Sequence, residues 1–184
     1  PWTTSSRPRP ARCATLTSDA RVIDVPGVPR FEVAPHHCFA CGTTNLRGLG
    51  LVLHVEPRTA WTEVTLGRDF QGWDGMAHGG IIATILDEVM AWSLAGTDDW
   101  GVTARMSIEF RRPVAIGTTV RADGMVTRAR RRLIETSARI TTVDDGTLLA
   151  SATGTYVAAD DARKAELRGR YGLRPESPVS VDQS

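Results

Sequence analysis

The sequence predicts an α+β fold, one curved antiparallel sheet wrapped around a long central helix. Residues 81–95 form a run of helical length whose apolar side chains take nearly every helical direction, so this helix is expected to be buried on all sides. Two β-rich segments precede the run and four follow it, without the strand-helix alternation that marks a parallel sheet. A sheet that curls around the helix supplies the cover it needs.

The elements follow in chain order. The first 30 residues are rich in Pro, Arg, Thr and Ser and lack apolar periodicity, the composition of a poorly ordered arm, so the folded domain is expected over 31–158. Residues 49–56 and 59–66 alternate or cluster apolar and β-branched side chains around a Glu56-Pro57-Arg58 turn, which reads as a hairpin. The helix over 81–95 ends at Gly96. Residues 102–110, 118–127, 133–143 and 147–157 are rich in Thr, Val and Ile. Pro113 and Gly117 separate the first two of these strands, and Asp144-Asp145-Gly146 turns between the last two. The remaining 159–184 read as a short polar helix at 160–171, capped by Asp160 or Asp161, followed by a loose tail.

Bulk properties narrow the function. With 41% hydrophobic residues in 184, the chain can bury one sizeable core. Its 22 basic and 21 acidic residues leave a net charge of +1, which favours neither nucleic acid nor a membrane surface as partner. The most apolar stretch contains Asp87 and Glu88 and is too short to span a bilayer. Arginines 7, 9, 12 and 21 are not followed by the apolar block of a secretory signal, and three cysteines do not make a disulfide framework. A cytoplasmic location is the expectation.

The densest chemical signal is Gly72-Trp73-Asp74-Gly75-Met76-Ala77-His78-Gly79-Gly80, leading directly into the helix that carries Asp87. Glycines ahead of a helix let its free N–H groups approach a ligand, and those groups with the helix dipole favour developing negative charge. An oxyanion can be held there. Asp87 in an apolar helix is costly unless paired or employed, either as a structural carboxylate or as a chemical one. At ~1.5 Å rise per residue it lies roughly 10 Å from Gly80, too far for one carbonyl to meet both on one helix. The two groups are therefore expected to come from different copies of the chain, in a homo-oligomer that is at least a dimer.

His78-Gly79-Gly80, Leu86-Asp87-Glu88 and Phe110-Arg111-Arg112-Pro113 together resemble the PaaI-like branch of the hotdog-fold thioesterase superfamily. Cys38-Phe39-Ala40-Cys41-Gly42 and Gly48-Leu49-Gly50-Leu51 are similar to segments of a bacterial subgroup of it, and the resemblance spans about residues 36–158. It implies a hotdog fold and hydrolysis of an acyl-CoA or acyl-carrier thioester without metal or other cofactor. The Asp nine positions after the motif His is the family's carboxylate, here Asp87, as base or nucleophile. The resemblance further implies Gly80 as the carbonyl-polarising N–H, with Gly79 and His78 shaping the site. Thr103, in a Thr-Ala-x-x-x-Ile context shared with some mammalian relatives, would orient water or the carboxylate. Some members carry Asn where this chain has Gly72; Gln71 stands next to it as a substitute ligand or as a structural loop residue.

Other groups have two readings each. Glu88 points about a quarter-turn from Asp87 and is read as structural. His78 is read as positioning rather than carrying a proton. Arg111, Arg112 and Arg130, with Arg128, Arg131 and Arg132, either meet the phosphates of coenzyme A or form a solvated rim. His36, His37, Cys38 and Cys41 suggest zinc ligands, but the second Cys pair of a zinc ribbon is missing, so a turn packed over the substrate channel is expected and no metal. Trp73 and Trp92 are core residues or pocket walls. The rival functions are a non-catalytic acyl-CoA or acyl-carrier binding protein and a hotdog dehydratase, the latter needing a different His and acid arrangement.

Overall fold

The computed structural model describes residues 21–23, 31–97, 99–171 and 174–175. A six-stranded antiparallel sheet is built from β3 (His54–Glu56), β4 (Thr59–Thr65), β5 (Gly101–Phe110), β6 (Thr119–Arg130), β7 (Leu133–Thr142) and β8 (Leu148–Ala158), in the order β3-β4-β6-β7-β8-β5. It packs around α1 (Gly79–Ala95). This is the expected α+β architecture.

Period-two burial sets the inner face. Val120, Ala122, Gly124 and Val126 of β6 alternate inward, as do Ile134, Thr136, Ala138 and Ile140 of β7. Gly124, Ala138 and Ala152 stand in register across three strands. This small-residue row lets the helix backbone lie against the sheet. A Cβ on Gly124 would sit 2.4 Å from the Val89 carbonyl oxygen.

The helix is not buried on all sides. Its fully buried residues, Ile82, Ile85, Leu86, Val89, Met90, Ser93 and Leu94, follow steps of three and one and define a single face. Ile81, Thr84, Asp87, Glu88 and Ala91 lie on the other side and are only half-buried. Gly96 ends the helix with φ −61°, a right-handed conformation. Its missing side chain matters for space, since a Cβ there would lie 2.2 Å from the Glu56 carbonyl oxygen.

The first expected strand shortens to β3. Residues 49–53 bury Leu51 and Leu53, yet the N–H groups of Leu49 and Leu51 bond the carbonyls of Phe39 and Ala40, away from the sheet. The expected hairpin turn holds Arg58 at φ 65°. A second, three-stranded sheet joins β1 (Arg21–Ile23), β2 (Phe31–Val33) and β9 (Arg174–Pro175) in the order β1-β2-β9. Two of its strands fall where the sequence suggested an arm and a tail; residues 1–20 and 176–184 lie outside the described residues. The polar helix appears as α2 (Asp161–Tyr171), capped as expected by Asp160, whose Oδ1 accepts from the Arg163 N–H at 2.8 Å.

Candidate active site

The loop before α1 is fixed at both ends. The Ala77 N–H bonds the Val114 carbonyl and the His78 N–H bonds the Phe70 carbonyl, each at 2.9 Å. His78 is the N-cap, in an extended conformation, and its Nδ1 accepts from the Gly80 N–H at 2.8 Å. Because Nδ1 accepts, the neutral ring carries its proton on Nε2. The Gly80 N–H is therefore engaged by its own cap. The Gly79 N–H, one residue earlier, makes no hydrogen bond among the described residues.

Gly79 faces a cleft of about 270 Å³ lined by Phe110, Arg111, Arg112 and Ile82, among others. A Cβ on Gly79 would meet the Phe110 ring at 3.6 Å. Gly72, where some relatives carry Asn, lies against His78, and a Cβ there would be 3.1 Å from the His78 Cα. Gln71 uses its Oε1 to accept from the Gly75 N–H at 3.0 Å, which is the structural alternative for this residue.

Asp87 lies farther along α1, at the other end of β5. Its Oδ1 accepts from the Thr103 hydroxyl and from the Tyr156 phenol, each at 2.8 Å. The phenol is also 3.0 Å from the Asp87 backbone carbonyl. Oδ2 has no hydrogen bond among the described residues, so one oxygen is anchored and the other presented. Tyr156 is wholly buried, and burial followed by the Asp87 charge pushes its ionisation well above the ordinary phenol range. It stays a hydrogen-bond donor. Sequence reading missed Tyr156; its inward place in the alternation of β8 is the only signal, and that signal also fits an ordinary core tyrosine.

The arginines do not form one cluster within a chain. Arg111 and Arg112 follow the Phe110 end of β5, whereas Arg130 pairs with Leu133, whose strand neighbours lead to Val157 and Val102 at the opposite end. Arg111 pairs with Glu109 and Arg128 with Glu135, both exposed ion pairs. Trp73 is 82% exposed and walls no described cavity, while Trp92 lines one of about 590 Å³.

That larger cavity is bounded by residues from the 36–41 loop, α1, β5 and α2. Cys38 and Cys41 face Glu88 there, so the acid read as structural completes a cluster. The Cys41 hydrogen bond chiefly draws the Cys38 thiol down to about 5, and Cys41 rises correspondingly. Burial, then the Cys38 charge, lifts Glu88 to about 7. Trp92 Nε1 donates to Glu88 Oε1 at 2.9 Å.

Comparison with known proteins agrees with the fold. The family model of the thioesterase superfamily matches residues 74–149, which include both halves of the candidate site. Acyl-coenzyme A thioesterase THEM4 from Bos taurus is 29% identical over 99 residues, covering 54% of this chain and 40% of that protein. The chain thus spans less than half the length of this curated relative. A solved thioesterase superfamily protein is 29% identical, with a TM-score of 0.61, covering 66% of this chain and 60% of that one. The PaaI protein of the E. coli phenylacetic acid degradation operon, at 19% identity, shares the fold with a TM-score of 0.57 over 59% of this chain and 83% of that one.

Proposed function

From a chain that has the hotdog fold, and whose resemblance to the thioesterase superfamily is borne out over residues 74–149, we propose hydrolysis of an acyl thioester, most simply acyl-CoA, to the free acid and thiol. The observation that carries this reading is the arrangement along β5. The Gly79 donor packs by Phe110 at one end of that strand, and the anchored Asp87 bonds Thr103 at the other. β5 is an edge strand, paired to β8 alone among the described residues. Two copies joined antiparallel along this edge would bring the Phe110 end of one beside the Thr103 end of the other. Each site would then combine one subunit's helix N-terminus with its partner's carboxylate.

In that site the thioester carbonyl accepts from the Gly79 N–H, with the helix dipole favouring the oxyanion. Gly80 holds the His78 ring instead, which leaves Nε2–H as a second donor for the thioester. Asp87 attacks through Oδ2, or takes the proton of an attacking water, while Thr103 and Tyr156 fix its other oxygen. Arg111 and Arg112 from one subunit and Arg130 from its partner would meet the phosphates of coenzyme A. The same antiparallel pairing that joins the reacting groups brings these two arginine groups together.

The test is release of free thiol from a panel of acyl-CoAs by the wild-type chain and by Asp87→Ala. Equal rates would refute the hydrolytic reading. Mixing Asp87→Ala with a variant crippled at Gly79 tests the shared site. Confirmed mixed dimers should regain activity in one of their two sites, and none regained would refute the sharing.

A further inference from the structure

We propose that Cys38, Cys41 and Glu88, with His36 beside Cys41, bind one zinc-type divalent cation per chain, at a site separate from the Asp87 hydroxyl network and independent of the hydrolase reading. The ligand atoms of Cys38, Cys41 and Glu88 all lie within 4.8 Å of one another. Cys38 Sγ is 3.9 Å from each Glu88 carboxylate oxygen, and His36 Nε2 is 3.3 Å from Cys41 Sγ. Two thiols, an imidazole and a carboxylate are the donor types that tetrahedral zinc takes.

The loop is built to converge these groups. The Gly42 N–H bonds the Cys38 carbonyl at 3.0 Å and the Thr44 N–H bonds the His36 carbonyl at 3.2 Å. No side chain fits at Gly42, where a Cβ would lie 2.5 Å from the Cys38 backbone and the His36 carbonyl oxygen. The tight turn therefore brings both sulfurs together, with the imidazole beside Cys41, and α1 brings Glu88 to the sulfurs.

Outer contacts orient the donors in the manner of metal sites. His36 Nδ1 donates to the Ala34 carbonyl at 3.1 Å, which leaves Nε2 with its lone pair directed inward. The Trp92 indole holds Glu88 Oε1. A cation offsets the cost of gathering two thiols and a carboxylate at one place. On binding, zinc displaces to solvent the protons still held by the thiols and the carboxylate, with no change of oxidation state. Held by both thiolates of the loop and by Glu88 of the helix, the ion ties the 36–41 loop to α1.

The full-length chain, reduced and freed of metal with a chelator, should be titrated with cobalt(II). The thiolate-to-cobalt absorption and tetrahedral visible bands are expected to saturate at one equivalent and to vanish when zinc is added. Zinc should also slow alkylation of Cys38 and Cys41. Trp92→Phe, which keeps both thiols, should weaken metal binding by roughly 10–100-fold, the usual effect of losing an outer-shell contact. Glu88→Gln should weaken it further. Absence of the cobalt bands in the reduced wild-type chain would overturn the proposal. So would zinc that leaves thiol alkylation unchanged, or affinity untouched by both Trp92→Phe and Glu88→Gln.

Discussion

Tyr156→Phe isolates one contact of the carboxylate. The phenol donates to Asp87 Oδ1 at 2.8 Å from a fully buried ring, so the substitution removes a donor and keeps the packed volume. A hydrogen bond to a charged group contributes ~1.5–3 kcal/mol. If the transition state depends on that orientation in full, kcat should fall about 10- to 150-fold. KM should hold, because the phenol does not face the substrate. The carboxylate retains Thr103 and, being half-buried, can recruit water, so the fold should survive with a Tm lower by a few degrees. Steady-state thiol release and a thermal melt measured on one preparation separate the two effects. A folded Tyr156→Phe with wild-type kcat would refute a positioning role, as would a loss confined to KM. Thr103→Val should act in the same direction, and the double variant should lose more than either alone.

Three other perturbations probe the frame around the site. Gly124→Ala places a methyl against the Val89 carbonyl and should cost about 1–3 kcal/mol by overpacking, seen as a Tm drop of roughly 2–12 °C. Arg111→Ala combined with Arg112→Ala should raise KM for acyl-CoA while leaving kcat near wild type; an unchanged KM would assign both to the solvated rim. Asp145 is held down to about 2, first by the Thr142 hydroxyl and then by the Thr147 hydroxyl and N–H. A depressed carboxylate stabilises above its unfolded value of 3.8 and loses that contribution as pH falls through about 2. Urea melts of wild type and Asp145→Asn should therefore differ at neutral pH and converge in that acid window.

Much of the fold was legible because two periodicities differ. Four strands and the helix announced themselves by alternation and by an apolar run, and the Asp144-Asp145-Gly146 turn fell where its residues demanded. Composition alone misjudged the helix surface: Ala91 and Ile81 are apolar, yet they sit on the half-buried side with Asp87. The strand expected over 49–56 shrank because its amides bond a distant loop, a partner that local pattern does not reveal. Asp87, Thr103 and His78 were singled out through the motif and the family resemblance. The contact of Thr103 with Asp87 then appeared as a 2.8 Å hydrogen bond. The resemblance pointed to the Gly80 amide, and sequence cannot say which amide the His78 cap engages. Tyr156, and the contact of Glu88 with Cys38, escaped because the partners lie 69 and 50 residues apart, a relation that only strand register and helix packing create.

The ten-residue edge of β5 carries a cost as well as an opportunity. Its outward amides and carbonyls form a template on which any extended chain can add a strand, and Val102 and Phe110 supply apolar grip at either end, being 70% and 58% exposed. Whatever seals that edge removes the hazard. Substitutions that loosen the seal would then show themselves first as turbidity and poor recovery of the protein, before any kinetic defect could be measured.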